Sequence, residues 1–356
     1  MKFMVEHSDE EWKEFNDSDW FVPEFVFIKL KNECSIIYNF LRSANQKNEK
    51  IIERFKLKLE NIFNLINSEK ENCNSFKILN ESGTSPKDKK KWKQNVQSAL
   101  EEIQNKIIDK IVLSRKVEFI LSEKPSVENF IEQLKVKFPR CYIFIVHCRE
   151  STFIGATPEK LANFENGNVE LDALAGSAPR GKNVDEDNSL EKDLLANKKN
   201  LNEHNFVVNH IKDIISKHNY EDLNTTEITV RKLANIQHLL TKFSVKLNHD
   251  SSIFSILKEL SPTPAVCGIP LQSSMQLIKK LESHKRGLYS GFIGWLNFEN
   301  EGEFAVSIRS ALINNKKIIA YAGSGIVEDS DPELEFNETD LKLNTILNLL
   351  RNENKN

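Results

Sequence analysis

The chain is poor in the residues that mark disulfide-stabilised or membrane-spanning proteins. It has 5 cysteines, 12 glycines and 10 prolines in 356 residues. The cysteines are odd in number and scattered, without a CxxC pair, so we expect neither a disulfide framework nor a structural zinc site. No run of about 18 apolar residues occurs, which predicts no transmembrane helix.

The chain also lacks an excess of charge of either sign. It carries 49 basic and 52 acidic residues, and the formal net charge is −3. This balance argues against nucleic acid or an anionic membrane as the main partner, although a local cluster of cations could still bind a small anion. The charged N-terminal segment does not resemble a signal peptide, and with few cysteines it predicts a cytoplasmic protein.

The arrangement of apolar residues predicts an α/β (α+β) fold. The polar stretch 80–91 (NESGTSPKDKKK) is typical of a loop or linker. After it, strands outnumber the helices between them, which favours large, mostly antiparallel sheets flanked by helices over repeated βαβ units. We predict helices at 92–108, 189–218 and 332–350, and strands at 110–120, 141–146, 288–298, 304–313 and 318–322.

Two predicted helices carry carboxylates that need an explanation. Glu335, Glu338 and Lys342 share one helix face, which is either partly covered or an ordinary solvated i, i+4 pair. Glu203 lies opposite the apolar stripe of its helix, but it is flanked by Phe206 and Val207, as on a second covered face. Two helices that each offer a glutamate could bind Mg²⁺, which prefers carboxylate, water and substrate oxygens.

Two glycine-containing turns each follow a predicted strand. They span 175–177 and 322–325, and neither is a phosphate-binding loop or a dinucleotide fingerprint. Each is either an ordinary tight turn or a place where backbone N–H groups face an anionic ligand.

Nine sequence blocks, in order, resemble the chorismate-binding enzymes, which include the anthranilate, aminodeoxychorismate, salicylate and isochorismate synthases. The blocks are KIVLSR (110–115), FIGATPE (153–159), LAGS (174–177), NEH (202–204), PTPA (262–265), GLYSG (287–291), SIR (307–309), AGSGI (322–326) and DPELEFNET (331–339). The resemblance implies one α/β sandwich with a central cleft. Residues 92–356 would form its chorismate-binding catalytic domain, and residues 1–91 a variable segment of the same fold.

The resemblance also implies roles for individual residues. Lys110 would be the general base and Glu159 the general acid, and burial would shift both pKa values in the required directions. Glu203 and Glu338 would bind Mg²⁺, with Glu335 helping through water. The remaining implied residues contact substrate: Arg309 and Lys342 at the enolpyruvyl carboxylate, Gly323, Ser324 and Gly325 as backbone donors, and His238, Gly176 and Ser177 around the ring.

Two positions favour water over ammonia as the nucleophile, and therefore an isochorismate synthase that isomerises chorismate. Lys110 stands where anthranilate-type enzymes generally carry Gln, and Ala175 where aminodeoxychorismate synthases generally carry a nucleophilic Lys. A salicylate synthase is the main alternative, followed by an anthranilate or aminodeoxychorismate synthase component. A catalytically silent subunit should lack the acid, the base or a metal ligand, and none is missing.

We expect a monomer, with menaquinone synthesis as the pathway and siderophore or salicylate synthesis left open.

Overall fold

The computed structural model describes residues 10–43, 46–67, 75–218, 221–248 and 251–353. The helices in these ranges are α1 (Asn48–Asn67), α2 (Pro86–Gln104), α3 (Val127–Lys137), α4 (Val184–Ala196), α5 (Lys198–Lys217), α6 (Ile253–Leu260), α7 (Leu271–Leu281) and α8 (Pro332–Glu353). The strands are β1 (Phe25–Leu30), β2 (Glu33–Tyr38), β3 (Ile78–Ser82), β4 (Lys110–Leu121), β5 (Tyr142–Cys148), β6 (Ser151–Thr157), β7 (Lys160–Glu165), β8 (Asn168–Pro179), β9 (Glu221–Thr225), β10 (Thr229–Lys232), β11 (Ile236–Lys246), β12 (Gly268–Ile269), β13 (Phe292–Leu296), β14 (Gly302–Val306), β15 (Ser310–Asn314) and β16 (Lys317–Ile326).

Two seven-stranded sheets dominate the fold. The first sheet has the order β10-β11-β8-β7-β14-β13, with β9 beside β11, and the second has the order β12-β4-β16-β15-β6-β5, with β3 beside β4. Every pairing within them is antiparallel. The prediction of large antiparallel sheets flanked by helices is confirmed.

The chain divides into two compact units. Residues 18–73 form the smaller unit, and residues 1–17 with 74–356 form the larger one. The smaller unit contains the β1–β2 hairpin and α1, where the ring of Phe25 lies 5.0 Å from Tyr38 and 6.3 Å from Phe55, centroid to centroid. The assignment of residues 1–91 to the same fold as the rest stays a prediction.

The second sheet is covered on both faces, because successive side chains of a strand point to opposite sides. From β16, Ile318 and Ala320 pack with residues of α3 and α8. The alternate residues Ile319 and Tyr321 pack with Trp12 on the other face. A larger core joins both sheets to α2, α5, α6 and α7.

Three predicted elements have different boundaries in the structure. Residues 304–313 were predicted as one strand but form β14 in the first sheet and β15 in the second. The sequence does not show this break, because residues on both sides of the crossing are buried. Residues 189–218 form two helices rather than one, because Asn197 ends α4 and its side chain accepts a hydrogen bond from the N–H of Asn200 to begin α5. Residues 80–91 are a loop only at 83–85, because the rest of the range completes β3 and begins α2.

Smaller differences do not change the topology. Of the range 288–298, only Phe292–Leu296 is a strand, and β5 begins at Tyr142 rather than at position 141. The four described cysteines are free thiols. None of the described helices is both long and apolar enough to cross a membrane.

The start of α2 depends on a capping box at Ser85. The side chain of Ser85 accepts a hydrogen bond from the N–H of Asp88 (3.3 Å), and the Asp88 carboxylate accepts one from the N–H of Ser85 (3.0 Å). We expect Ser85→Ala to lower the free energy of unfolding by about 1 kcal/mol, because a helix N–H loses its acceptor. Urea unfolding followed by circular dichroism would measure this change. Lys90→Ala, an exposed substitution on the same helix, is the control and should have a smaller effect.

Candidate active site

A cleft between the two sheets collects most of the residues that the sequence singled out. It encloses about 570 Å³, part of it open to solvent. Its wall includes residues of β8 and β11 from the first sheet and of β4 and β16 from the second. Eight predicted site residues line it directly: Glu159, Gly176, Ser177, Glu203, His238, Arg309, Gly323 and Lys342.

Lys110, the first residue of β4, is fully buried behind this wall. Its Nζ lies 3.3 Å from Oε1 of Glu203, but no described side chain accepts a well-directed hydrogen bond from it. Burial lowers the pKa of Lys110 below its ordinary value, and the charge of Glu203 opposes this shift only in part. Lys110 can therefore lose its proton more readily than an exposed lysine.

Glu159 lies between β6 of the second sheet and β7 of the first. Only 5% of it is exposed, and its Oε1 accepts a 3.4 Å hydrogen bond from the hydroxyl of Thr263. Burial raises the pKa of Glu159 to about 7, against the opposing charges of Lys110 and Lys342. Near neutral pH this carboxyl group is therefore available as a proton donor.

His238, Arg309 and Ser177 form a hydrogen-bonded chain along one side of the cleft. A guanidinium nitrogen of Arg309 lies 3.1 Å from Nε2 of His238, and Nδ1 lies 2.9 Å from the Ser177 hydroxyl and 3.3 Å from the Gly176 carbonyl. Because a guanidinium only donates, Nε2 accepts and Nδ1 carries the proton. Burial, with Arg309 and Lys342, holds the pKa of His238 well below 6.5, so the ring is neutral.

Arg309 has an uncommon backbone conformation. Its φ is 52°, in the left-handed region, at the point where the chain crosses from β14 to β15. The side chain is buried and aimed into the cleft rather than continuing the alternation of either strand.

The face of α8 that carries Glu335, Glu338 and Lys342, for which the sequence left two interpretations open, is covered. Lys342 forms a 2.6 Å ion pair with Glu338 and donates a 2.9 Å hydrogen bond to the carbonyl of Gly323. The side chains of Lys342 and Glu338 are only 17% and 14% exposed, which excludes the interpretation as a solvated pair. Although burial disfavours the charge of Glu338, Lys342 and Lys199 hold its pKa at about 2.

Glu335 and Glu338 line a neighbouring cavity, which shares Ser177 with the cleft. Glu335 accepts hydrogen bonds on both oxygens, from Lys199 (2.8 Å) and from the Ser324 hydroxyl (2.5 Å). A Cβ at Gly325 would overlap Oε1 of Glu203, so a glycine is required for this carboxylate to pack against β16.

Comparison with known proteins identifies the family of this chain. The family model for chorismate-binding enzymes matches residues 1–351. The chain belongs to the chorismate-binding enzymes. It is 31% identical to the isochorismate synthase MenF of Bacillus subtilis over 350 residues, 98% of this chain and 73% of the relative. It is 32% identical to the salicylate biosynthesis isochorismate synthase of Pseudomonas aeruginosa, over 74% of this chain and 55% of the relative.

Solved structures of chorismate-binding enzymes have the same fold. The menaquinone-specific isochorismate synthase MenF of Escherichia coli aligns with a TM-score of 0.80 at 26% identity, over 92% of this chain and 74% of that structure. Anthranilate synthase component I of Streptococcus pneumoniae aligns with a TM-score of 0.75 at 25% identity, over 90% of this chain and 70% of that structure. The predicted family and fold are confirmed.

Sequence reasoning missed three residues in or beside this cleft. Lys199 lies one helical turn before Glu203 on α5, and this i, i+4 spacing was a usable signal. Thr263 and Tyr289 lie inside blocks that were recognised, but no role was assigned to either. Tyr289 lines the cleft and Thr263 contacts Glu159, which only the folded structure reveals.

The carboxylates around Lys199 are suited to a divalent cation. Although burial opposes it, Glu338, Glu203 and Glu335 together raise the pKa of Lys199, so its ammonium already lies among all three. In the described part of the chain, no three His, Cys, Asp or Glu side chains converge as a ready-made metal site. Mg²⁺ needs only one or two protein carboxylates beside water and substrate oxygens, so the residues present are sufficient.

The neutral state of His238 can be tested by NMR with ¹³C-labelled histidine. Because its folded pKa is depressed, the stability that His238 contributes is fully present above about pH 6.5 and is lost as the pH falls. We expect its imidazole signal, assigned with a His238→Gln variant, to remain that of the neutral ring at about pH 5.5, where an ordinary histidine is mostly charged. Titration near pH 6.5 would contradict the assignment.

Proposed function

We propose that the protein is a Mg²⁺-dependent isochorismate synthase, which isomerises chorismate by addition of water at C2 and loss of the C4 hydroxyl. One observation carries this proposal: a buried glutamate in the cleft and a buried lysine behind its wall have pKa values that are shifted towards each other. The pKa of Lys110 is lowered, and that of Glu159 is raised to about 7. These opposite shifts favour the neutral amine of the lysine and the protonated acid of the glutamate.

Lys110 is proposed to activate the water. As a neutral amine it accepts a proton from water while the oxygen attacks C2 of the ring. Water is a weak nucleophile without such a base. Glu203, 3.3 Å from Nζ, faces the ammonium that forms and stabilises it at that moment.

Glu159 is proposed to complete the reaction from the other side. In its protonated form it donates to the C4 hydroxyl, which leaves as water rather than as hydroxide. The proton that Lys110 takes up and the one that Glu159 gives up are re-equilibrated with solvent. One water enters and one leaves, so the product has the mass of the substrate.

Cations in the cleft are proposed to bind the carboxylates of chorismate. Arg309 and Lys342 would neutralise the enolpyruvyl carboxylate, with His238 holding the Arg309 fork in place. The turn at Gly176 and Ser177 would border the ring, and the backbone of 323–325 would add N–H donors.

Mg²⁺ is proposed to be held by Glu203 and Glu338. Both oxygens of Glu335 are already engaged, which supports its predicted role through water rather than by direct contact. When bound, the ion would neutralise the ring carboxylate of the substrate.

The pathway that we propose is menaquinone synthesis. The similarity to an enzyme named MenF along nearly the whole chain supports it, whereas the Pseudomonas relative is named for salicylate biosynthesis. A cytoplasmic location and a monomeric state stay predictions from the sequence.

The direct test is incubation of purified protein with chorismate and Mg²⁺, without ammonium, followed by chromatography with mass detection. A product of unchanged mass at a new retention time, abolished by EDTA, supports the proposal. Salicylate with pyruvate would assign the chain to the salicylate synthases. Turnover only after ammonium is added would mean that Lys110 does not activate water.

Removal of the acid or the base should abolish most of the activity. We expect Lys110→Ala and Glu159→Gln each to lower kcat about 10²- to 10⁴-fold, because each removes one proton transfer. In the wild type, Glu159 loses its donor proton as the pH rises through about 7, so kcat/KM should fall on the alkaline side. This measurement also checks the acid: if Glu159→Gln retains the same alkaline decrease, another group is responsible.

Removal of either proposed ligand should weaken the binding of Mg²⁺. We expect Glu203→Gln and Glu338→Gln each to raise the Mg²⁺ dissociation constant about 10-fold or more, since each removes a carboxylate oxygen from the ion. Isothermal titration calorimetry would give the constant directly. The control is Glu333→Gln on the same helix as Glu338, where the half-exposed Glu333 pairs with Lys89 and Lys93. Unchanged constants in both variants would exclude the proposed ligands.

A further inference from the structure

A buried ion pair behind the cleft takes no part in the proposed chemistry. Glu282 follows α7 and Arg286 lies four residues later, and their side chains are 3% and 2% exposed. Nε and Nη2 of Arg286 donate to the two carboxylate oxygens of Glu282, at 2.9 Å and 2.5 Å. The pair is therefore bidentate and nearly removed from water.

The same guanidinium joins two segments that line the cleft. Nη1 donates to the carbonyl of Val266 and Nη2 to the carbonyl of Val112, both at 2.7 Å. Val112 belongs to β4, and Val266 belongs to the loop 263–267 between α6 and β12. Glu282 holds β4 a second time, because its Oε1 accepts a 2.6 Å hydrogen bond from the N–H of Ser114.

Each of the two joined segments bears on one member of the acid–base pair. Lys110 lies two residues before Val112 on β4. Thr263 lies at the other end of the loop from Val266, and its hydroxyl contacts Glu159. Its carbonyl oxygen accepts hydrogen bonds from the backbone N–H groups of Val266 and Cys267. A shift of the loop relative to β4 would therefore move Thr263, which contacts Glu159, relative to Lys110.

Stability alone does not explain such a pair. A buried ion pair must overcome a large desolvation cost, and apolar residues of similar size often stabilise a fold as well or better. What apolar residues cannot supply is a planar fork that reaches two carbonyls and a carboxylate at once. His284, 3.6 Å from Glu282, does not replace Arg286, because burial lowers the pKa of this histidine to about 4.

We propose that Glu282 and Arg286 are positioning residues that hold β4 and the loop 263–267 in register, and so keep Lys110 and Glu159 at their working separation. The pair acts through the backbone and does not touch substrate. Its effect on turnover rests on the proposed function, whereas its effect on the two segments does not.

The test compares Glu282→Gln and Arg286→Lys with the wild type by hydrogen–deuterium exchange and by kinetics. Glu282→Gln keeps the shape and removes the charge, and Arg286→Lys keeps the charge and removes the fork. Asp187→Asn is the matched control: Asp187 pairs with Arg180 and Lys232, outside the wall of the cleft. All measurements are made well below the melting temperature of each variant.

We expect amide exchange to accelerate in peptides that cover 110–114 and 263–267, and to stay unchanged in peptides from β6 and β15. With chorismate, kcat should fall about 10- to 100-fold while KM stays within about threefold, because alignment of the reacting groups is lost rather than affinity. Asp187→Asn should leave both properties at wild-type values.

The proposal is wrong if exchange in the two segments stays at the wild-type rate, or if it rises equally in every peptide. It is also wrong if both variants fail to fold, since the pair would then be a folding determinant. Unchanged kcat together with accelerated local exchange would overturn the link to catalysis. A wild-type protein that does not convert chorismate would instead remove the proposed function, and the exchange result would still decide whether the pair holds the segments.

Discussion

Charge held away from water is the constraint on which this structure depends. Lys110 has no exposed surface, and Glu203 beside it is only 6% exposed. An isolated buried ammonium is costly enough that it either gives up its proton or acquires a carboxylate partner. Lys110 stands between these outcomes, with an anion 3.3 Å away that does not fully restore its pKa. This balance suits the proposed role of Lys110 as a base.

The other charges of the cleft show the same balance. Glu338 forms an ion pair with Lys342. Glu335 forms an ion pair with Lys199 and accepts a hydrogen bond from the Ser324 hydroxyl. Only Glu159 has no cation within ion-pair distance among the described residues, and it is the carboxyl group whose pKa rises to about 7. Pairing alone does not set the pKa, because burial and the charge of Glu338 also raise the pKa of Glu335 despite its ion pair with Lys199.

Much of this could be predicted from the sequence, and the part that could not has physical causes. Apolar runs predicted β4 and β16, whose residues are buried on both faces of the second sheet, and α8 was predicted as well. Periodicity alone predicts that Glu203 is exposed to solvent, whereas it is buried. The reason is that a helix covered on two faces has no single apolar stripe. The roles of Arg309 and Glu159 came from the family resemblance. Long-range contacts such as Thr263 with Glu159 have no local signal.

The position of the cleft follows from how the two sheets are joined. β6 and β15 are neighbours in the second sheet, and they continue as the neighbours β7 and β14 of the first. Glu159 lies in the crossing from β6 to β7, and Arg309 lies in the crossing from β14 to β15. The N–H of Ala156 in β6 donates a 3.1 Å hydrogen bond to the Arg309 carbonyl, and the N–H of Val306 in β14 donates a 3.0 Å hydrogen bond to the Glu159 carbonyl. Each crossing is therefore bonded to a strand that flanks the other crossing. Strand alternation ends at such a crossing, so both side chains are free to turn into the space between the sheets. The proposed acid and the proposed anion-binding cation are therefore placed by the same topological feature that opens the cleft.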